Sequence, residues 1–437
     1  MTCAHLQSAE AGLESAFTMD ASRVTFGTGA LGEVGDRVAR HVGANARVGL
    51  VTDPRLRTMP WYDETLASLR AAGLDVVVFD EVLVEPTDVS IGAAVQWARE
   101  VRPDAFVSIG GGSVIDTAKL ANLMSTHPGT LLDYVNAPLG GGVPVPGPLK
   151  PHLACPTTSG TGSEVTGIAI FDILDVHAKS GVSSPMLRPT EAVVDPRTTA
   201  SLPAGVVASS GLDVLCHAVE SLTARPFSTR PAPQPATSRP PSQGANPWSD
   251  LGCREAITII GTHLRRAVAD AGDEEARHRM MWAATLAGIA FGNAGVHVPH
   301  AMAYAVAGRV RDYRPEGYPA EHPMVPHGFA VAVSAPAAFA MLAGTSPERH
   351  LEAARLLGVD TADAGPTDAG VVLASAVAAL MRDVGAPNGI SGVGYGLDDV
   401  PLLVAGAAPQ RRLLDNAPAP VRESELDAIF RDALVCW

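Results

Sequence analysis

Cysteine is scarce in this chain and thinly spread. Cys3, Cys155, Cys216, Cys253 and Cys436 are odd in number and form no Cys-x-x-Cys pair, so reduced thiols in a reducing compartment fit best. Charge is sparse as well: 18% of residues are Asp, Glu, Lys or Arg, and the net charge is −14. With no basic stripe along the sequence, a nucleic-acid partner is not expected. No apolar run reaches the roughly 18 residues that a membrane span requires, so no membrane association is expected either. Met1 to Ser22 carries Glu10, Glu14 and Asp20 but no Lys or Arg. That is unlike a signal peptide or a mitochondrial presequence, and the expected location is cytoplasmic. Internal repeats are absent.

What is present describes a compact protein with more than one core. At 437 residues and 46% hydrophobic, two domains are the natural prior. The first half alternates: Arg47–Thr52, Asp75–Phe79 and Ala105–Ile109 read as buried strands, and Trp61–Ala72 and Val89–Val101 as the helices between them. That rhythm predicts right-handed crossovers and a parallel sheet, hence an α/β dinucleotide-binding domain over residues 1–203. From about Leu202 the pattern turns to long Ala- and Leu-rich helical stretches at 210–224, 250–270, 274–292, 329–343, 347–357 and 367–384. Residues 204–437 are therefore expected to be an all-helical second domain. Its Pro-rich stretch 225–247 reads equally as a flexible segment or as an ordered cover.

The helical half carries a metal-ligating pattern. Asp213 and His217 stand four apart in an apolar run, with Ser209 and Ser210 placed to cap the helix, so both side chains leave one helical face. His300 and His327 complete a set of one carboxylate and three imidazoles, which suits a borderline divalent ion, Fe(2+) or Zn(2+). In the first half two glycine stretches compete for a dinucleotide. Gly27-Thr-Gly29-Ala-Leu-Gly32 follows a short strand, Arg23–Phe26, and has Asp53 downstream at a suitable distance. Gly110-Gly111-Gly112-Ser113 lies where a strand ends and a helix begins, so glycine backbone and the positive helix end can meet a pyrophosphate. Ser113 with Asp116 also fits a capping box. The second stretch is favoured for phosphate, and the first reads as a tight hairpin. The hydroxyl-rich run Thr157-Thr158-Ser159-Gly160-Thr161-Gly162-Ser163-Glu164-Val165-Thr166 is, by itself, either a turn or a lining of donors.

Gly110 to Lys119, Pro156 to Thr166, the Asp213/His217 helix and Pro326-His327-Gly328 occur in the same order as in the iron-dependent alcohol dehydrogenase family, which the chain resembles over nearly its whole length. The resemblance implies Asp213, His217, His300 and His327 as metal ligands. On the NAD side it implies Asp53 at the adenosine ribose, Gly111, Gly112 and Ser113 at the pyrophosphate, and Thr157, Thr158, Thr161, Thr166 and Lys179 around the rest, with Asp116 in the same motif. An acidic residue at position 53 favours NAD over NADP. Tyr304 stands where ordinary members place a proton-relaying histidine, and the stretch between His300 and His327 is lengthened and carries Arg309, Arg311, Asp312, Tyr313 and Arg314. Both departures resemble the branch of the family that passes hydride from a hydroxyacid, through retained NAD, to an oxoacid. Small hydroxyacids and oxoacids are then the partners, with a homo-oligomer left open, and Lys150 or the arginines of 309–314 are candidate carboxylate binders. His297 is either a surplus ligand or relay, or a packed histidine. The competing readings are an alcohol dehydrogenase or aldehyde reductase that releases its nucleotide, a dehydroquinate-synthase-like lyase, and a non-catalytic NAD- or metal-binding protein.

Overall fold

A computed structural model describes residues 10–176, 178–318 and 323–437. Cys3 lies outside them; the four other cysteines are free thiols. The chain forms two compact units, Ala21–Ser201 and a second made of Leu202–Trp437 together with the N-terminal segment through Asp20.

The first unit is a six-stranded sheet. In chain order its strands are β1 (Arg23–Phe26), β2 (Arg47–Thr52), β3 (Asp75–Phe79), β4 (Ala105–Gly110), β5 (His152–Pro156) and β8 (Glu191–Val194), arranged β1-β8-β5-β4-β2-β3. Every pairing in it is parallel. Side chains alternate across the pleat. Val48, Leu50, Val107, Ile109, Leu153 and Cys155 pack against α1 (Val34–Val42) and α2 (Pro60–Ala71). Val51 and Phe106 join the opposite core with α3 (Asp88–Val101) and α4 (Gly112–Thr126). Phe106 is fully buried, which contributes about 2–3 kcal/mol through the apolar area it removes from water. A short helix, α5 (Leu131–Tyr134), and an antiparallel hairpin of β6 (Ile168–Ile173) and β7 (Ala178–Ser183) complete the unit. The chain goes from β2 outward to β3 and then returns to the other side of β2 as β4. Asp53 and the Gly110–Ser113 turn therefore flank the point where strand order reverses, the place where open α/β sheets take ligands.

The expected hairpin at Gly27–Gly32 does not form. β1 pairs in parallel with β8, so the stretch is a turn into a single 3-10 turn, with Gly29 at φ 86° and its N–H donating to Asp195 Oδ2 at 2.9 Å.

The second unit has helices α6 (Ala204–Thr223), α7 (Pro247–Ala269), α8 (Glu274–Ala294), α9 (Val298–Gly308), α10 (His327–Ala332), α11 (Ala335–Leu342), α12 (Pro347–Leu356), α13 (Ala369–Asp383), α14 (Val400–Ala407), α15 (Arg411–Leu414) and α16 (Glu423–Asp432). Ser209 and Ser210 do not cap α6, which starts two turns earlier behind Pro203; Ser210 Oγ donates back to Val206 O at 2.8 Å. By length and composition alone, His327–Thr345 would pass for a membrane span. Its most apolar window has a mean hydropathy of 1.6 and is 78% buried in the protein, so this is core.

Residues 10–20, expected with the sheet, belong to the helical unit because their polar groups are satisfied there. Glu14 accepts from the Arg239 guanidinium at 2.9 and 3.1 Å. The Thr18 N–H donates to Gln243 Oε1 at 2.7 Å, the Asp20 N–H donates to Asn293 Oδ1 at 2.9 Å, and Phe17 packs edge-on against Phe227. These contacts also give the Pro-rich stretch 225–247 a defined path, with 3-10 turns at Phe227–Thr229 and Ala236–Ser238.

Candidate metal centre and nucleotide site

The centre of the helical unit is α6, buried from Gly211 to Thr223. Asp213 Oδ1 lies 3.7 Å from His217 Nε2, 3.6 Å from His300 Nε2 and 3.8 Å from His327 Nε2. Thus the four expected ligands converge, one carboxylate oxygen facing three imidazole nitrogens. Ligand atoms of Asp213, His217 and His300 lie within 4.8 Å of one another and are buried. Asp213 Oδ1 and His300 Nε2 have no hydrogen-bond partner. A buried polar atom left unmade is costly, and two facing each other fit an ion between them; an N/O donor set of this kind suits a borderline divalent metal.

Local packing fixes each ligand. α10 lies so close to α6 that a Cβ on Gly328 would stand 1.9 Å from Ser209 O and 3.0 Å from Asp213 Cβ, so only glycine lets His327 reach the site. The His217 ring stacks on Phe291 at 4.0 Å and 10°. Glu220, which sequence reasoning missed, is fully buried one turn beyond His217. Its Oε1 accepts from His300 Nδ1 at 2.6 Å and its Oε2 from the His297 N–H at 2.6 Å. Its spacing was a usable signal, since a carboxylate three residues after His217 and seven after Asp213 shares their helical face.

Burial pushes the His217 imidazole down to about 3, leaving it neutral. Burial would also lower His300, but the Glu220 and Asp213 carboxylates outweigh it and raise the ring to about 9. Burial works to raise Asp213, yet the surrounding imidazoles hold it below the usual carboxylate range. His297 is a packed histidine. Its Nδ1 accepts from the Val298 N–H at 2.8 Å and its Nε2 meets Thr223 Oγ1 at 3.1 Å. Tyr304 is buried on α9, one turn beyond His300.

The sheet unit gathers the nucleotide candidates at the C-terminal ends of its strands, but most of their side chains are already engaged. Asp53 caps the turn after β2, and its Oδ1 accepts from the Arg55 N–H and Nε, each at 2.9 Å. α4 begins at Gly112 behind Gly111, without a side-chain cap. The expected capping box of Ser113 and Asp116 is absent: Ser113 Oγ accepts from the Glu85 N–H at 3.2 Å. Asp116 accepts from Ser163 Oγ and, at 2.9 Å, from the Ile170 N–H, tying α4 to β6. A Cβ on Gly111 would meet the Thr158 side chain at 3.2 Å, and one on Gly112 would meet Thr161 at 2.7 Å. Thr157 is held by its N–H to Gly110 O at 3.0 Å, and buried Thr166 by its N–H to Ser163 O at 3.4 Å. Lys179 pairs with Glu85 at 2.6 Å and Asp172 at 3.0 Å. Burial would lower its pKa, but the two carboxylates carry it above the usual lysine range.

Two candidate carboxylate binders are placed elsewhere. Lys150 immediately precedes β5, at the N-terminal end of the strands and opposite Gly110 and Pro156. Arg311 is committed to Asp399 at 2.8 Å, to Gly394 O at 2.7 Å and to the face of Tyr395.

Residues 21–196 match the model of the iron-containing alcohol dehydrogenases, and residues 241–434 match the C-terminal model of the same family. The chain belongs to the iron-containing alcohol dehydrogenase family. As a member it is an oxidoreductase, and membership implies a metal and a nicotinamide nucleotide. It is 45% identical over 421 residues to the hydroxyacid-oxoacid transhydrogenases of Bos taurus and Homo sapiens, covering 96% of this chain and 90% of each relative. Among solved structures, a 1,3-propanediol oxidoreductase superposes with a TM-score of 0.82 at 30% identity, covering 96% of this chain and all of that one. Both transhydrogenases are named as mitochondrial. That overturns the cytoplasmic expectation; the missing basic residues before Ser22 were a poor guide to compartment.

Proposed function

We propose that this chain is a hydroxyacid–oxoacid transhydrogenase that takes a hydride from a hydroxyacid such as 4-hydroxybutyrate onto NAD and returns it to 2-oxoglutarate, giving 2-hydroxyglutarate. The observation that carries the reading is 45% identity across 96% of the chain to proteins of that name. The convergence of Asp213, His217, His300 and His327 supports a hydride-transfer centre. A divalent ion held by those four, Fe(2+) or Zn(2+), supplies Lewis acidity toward the substrate oxygen. Tyr304, one turn from His300, is the group that would relay the substrate hydroxyl proton, its phenol passing its own proton on to water as it takes the substrate's and reversing that exchange for the oxoacid. Asp53 at the end of β2 favours a free ribose 2′-hydroxyl, hence NAD, while Gly111 and Gly112 present backbone at the start of α4 to the pyrophosphate.

A nucleotide that serves both half-reactions must leave more slowly than turnover. The protein should therefore purify with NAD bound. With 4-hydroxybutyrate, 2-oxoglutarate and no added nucleotide it should form succinate semialdehyde and 2-hydroxyglutarate in equal amounts, with ping-pong kinetics. Protein that purifies empty, consumes free NADH stoichiometrically and prefers simple aldehydes is instead a nucleotide-releasing dehydrogenase.

A further inference from the structure

Two of the converging imidazoles are held by different means. The His217 ring rests on Phe291, and its Nδ1 is buried with no hydrogen-bond partner. His300 is held by a charge-assisted bond from Nδ1 to Glu220 Oε1 at 2.6 Å. An ionised carboxylate can only accept. Nδ1 must therefore carry a proton, which leaves Nε2, 3.6 Å from Asp213 Oδ1, as the nitrogen that would give up its proton to a metal. The second Glu220 oxygen takes the His297 N–H at 2.6 Å, at the residue that opens α9.

We propose that Glu220 is the positioning residue of the metal centre: one buried carboxylate sets the tautomer of His300 while also bonding the N–H at the start of the helix that carries it. The inference rests on the reading of Asp213, His217, His300 and His327 as metal ligands. A carboxylate behind a ligating imidazole fixes ring orientation and raises ligand basicity. The loop before α9 has other supports, so Glu220 is not needed to hold it: Ser221 Oγ donates to Gly295 O at 3.0 Å, and Asn416 Nδ2 donates to Ala294 O at 3.1 Å and Val296 O at 3.2 Å. In Glu220→Gln the amide oxygen can still accept from the His297 N–H. The amide NH2 then faces His300 Nδ1 and favours the tautomer whose Nε2 is blocked by a proton.

The test is zinc affinity of the full-length apoprotein, measured by chelator competition, for wild type and Glu220→Gln, with circular dichroism as the check on folding. Glu220→Gln should stay folded and bind zinc about 10–100-fold more weakly. Equal affinity in the two proteins overturns the inference and leaves the ligand assignment standing. A wild type that binds no zinc and no iron overturns the ligand assignment itself. Should the variant fail to fold, 15N NMR of the zinc-loaded wild type decides. A proton on His300 Nδ1 with the metal on Nε2 supports Glu220 as the positioning group, and the reverse tautomer overturns it.

Discussion

The helical and sheet units treat their polar groups in opposite ways. Around Asp213 the buried atoms face one another and lack partners: Asp213 Oδ1 and His300 Nε2 are both unsatisfied. Around Gly110–Ser113 the side chains are already bonded within the protein, Asp53 to Arg55, Asp116 to Ser163 and Ile170, Lys179 to Glu85 and Asp172. The first arrangement fits an ion, because Asp213 Oδ1 and His300 Nε2 face each other without a hydrogen-bond partner. The second stands complete and offers a nucleotide mainly backbone and glycine surface. Substitutions in the helical unit should therefore act on ligand occupancy, and those in the sheet unit first on stability.

The largest effect is expected at Asp213. Asp213→Ala removes the carboxylate shared by three imidazoles; elemental analysis should find the metal gone, and turnover should fall by about a thousandfold, the equivalent of several kcal/mol of lost stabilisation. Full metal occupancy in that variant breaks the comparison at its stronger side.

Asp116→Ala comes next. It takes the acceptor from the Ser163 hydroxyl and the Ile170 N–H, and the carboxylate 3.7 Å away from the buried Lys119 ammonium, at a cost of about 1–3 kcal/mol in urea unfolding. NAD affinity of the folded fraction should stay within about twofold, since the lost bonds are internal. A large loss of NAD affinity at unchanged stability would show that Asp116 contacts the nucleotide directly.

The smallest effect is at Asp53. Asp53→Ala removes the acid and frees Arg55, so the preference for NAD over NADP should narrow by about tenfold in parallel titrations, roughly 1.4 kcal/mol. An unchanged ratio would move nucleotide discrimination away from the end of β2.

Strands and ligands were legible because their signals are local or periodic. Arg47–Thr52 and Asp75–Phe79 are continuous apolar runs, and they emerge as β2 and β3 with those bounds. Asp213 and His217 share a helical face whatever the surrounding fold. The failures share a different cause. Ser209, Ser210, Ser113 and Asp116 have the composition of caps, but the helices beside them start elsewhere; Ser210 bonds back into its own helix, and tertiary partners claimed Ser113 and Asp116. Lys150 was an attractive cation until strand direction placed it at the wrong edge. The grouping of residues 10–20 depends on pairs such as Glu14 with Arg239, 225 positions apart, which no local pattern carries. Glu220 was missed because a lone acid in an apolar helix was not followed one further turn.

The placement of residues 10–20 sets an order for synthesis. The segment is synthesised before the rest of its unit, yet Asn293, which binds both the amide and the carbonyl of Asp20, follows 273 residues later. At about 5–20 residues per second that interval is roughly 15–55 s. Only from residue 202 onward is Ala21–Ser201 complete and free to fold, while Phe17 and Glu14 still wait for Phe227 and Arg239. Residues 10–20 are thus made before their partners and are among the last of the helical unit to find their place.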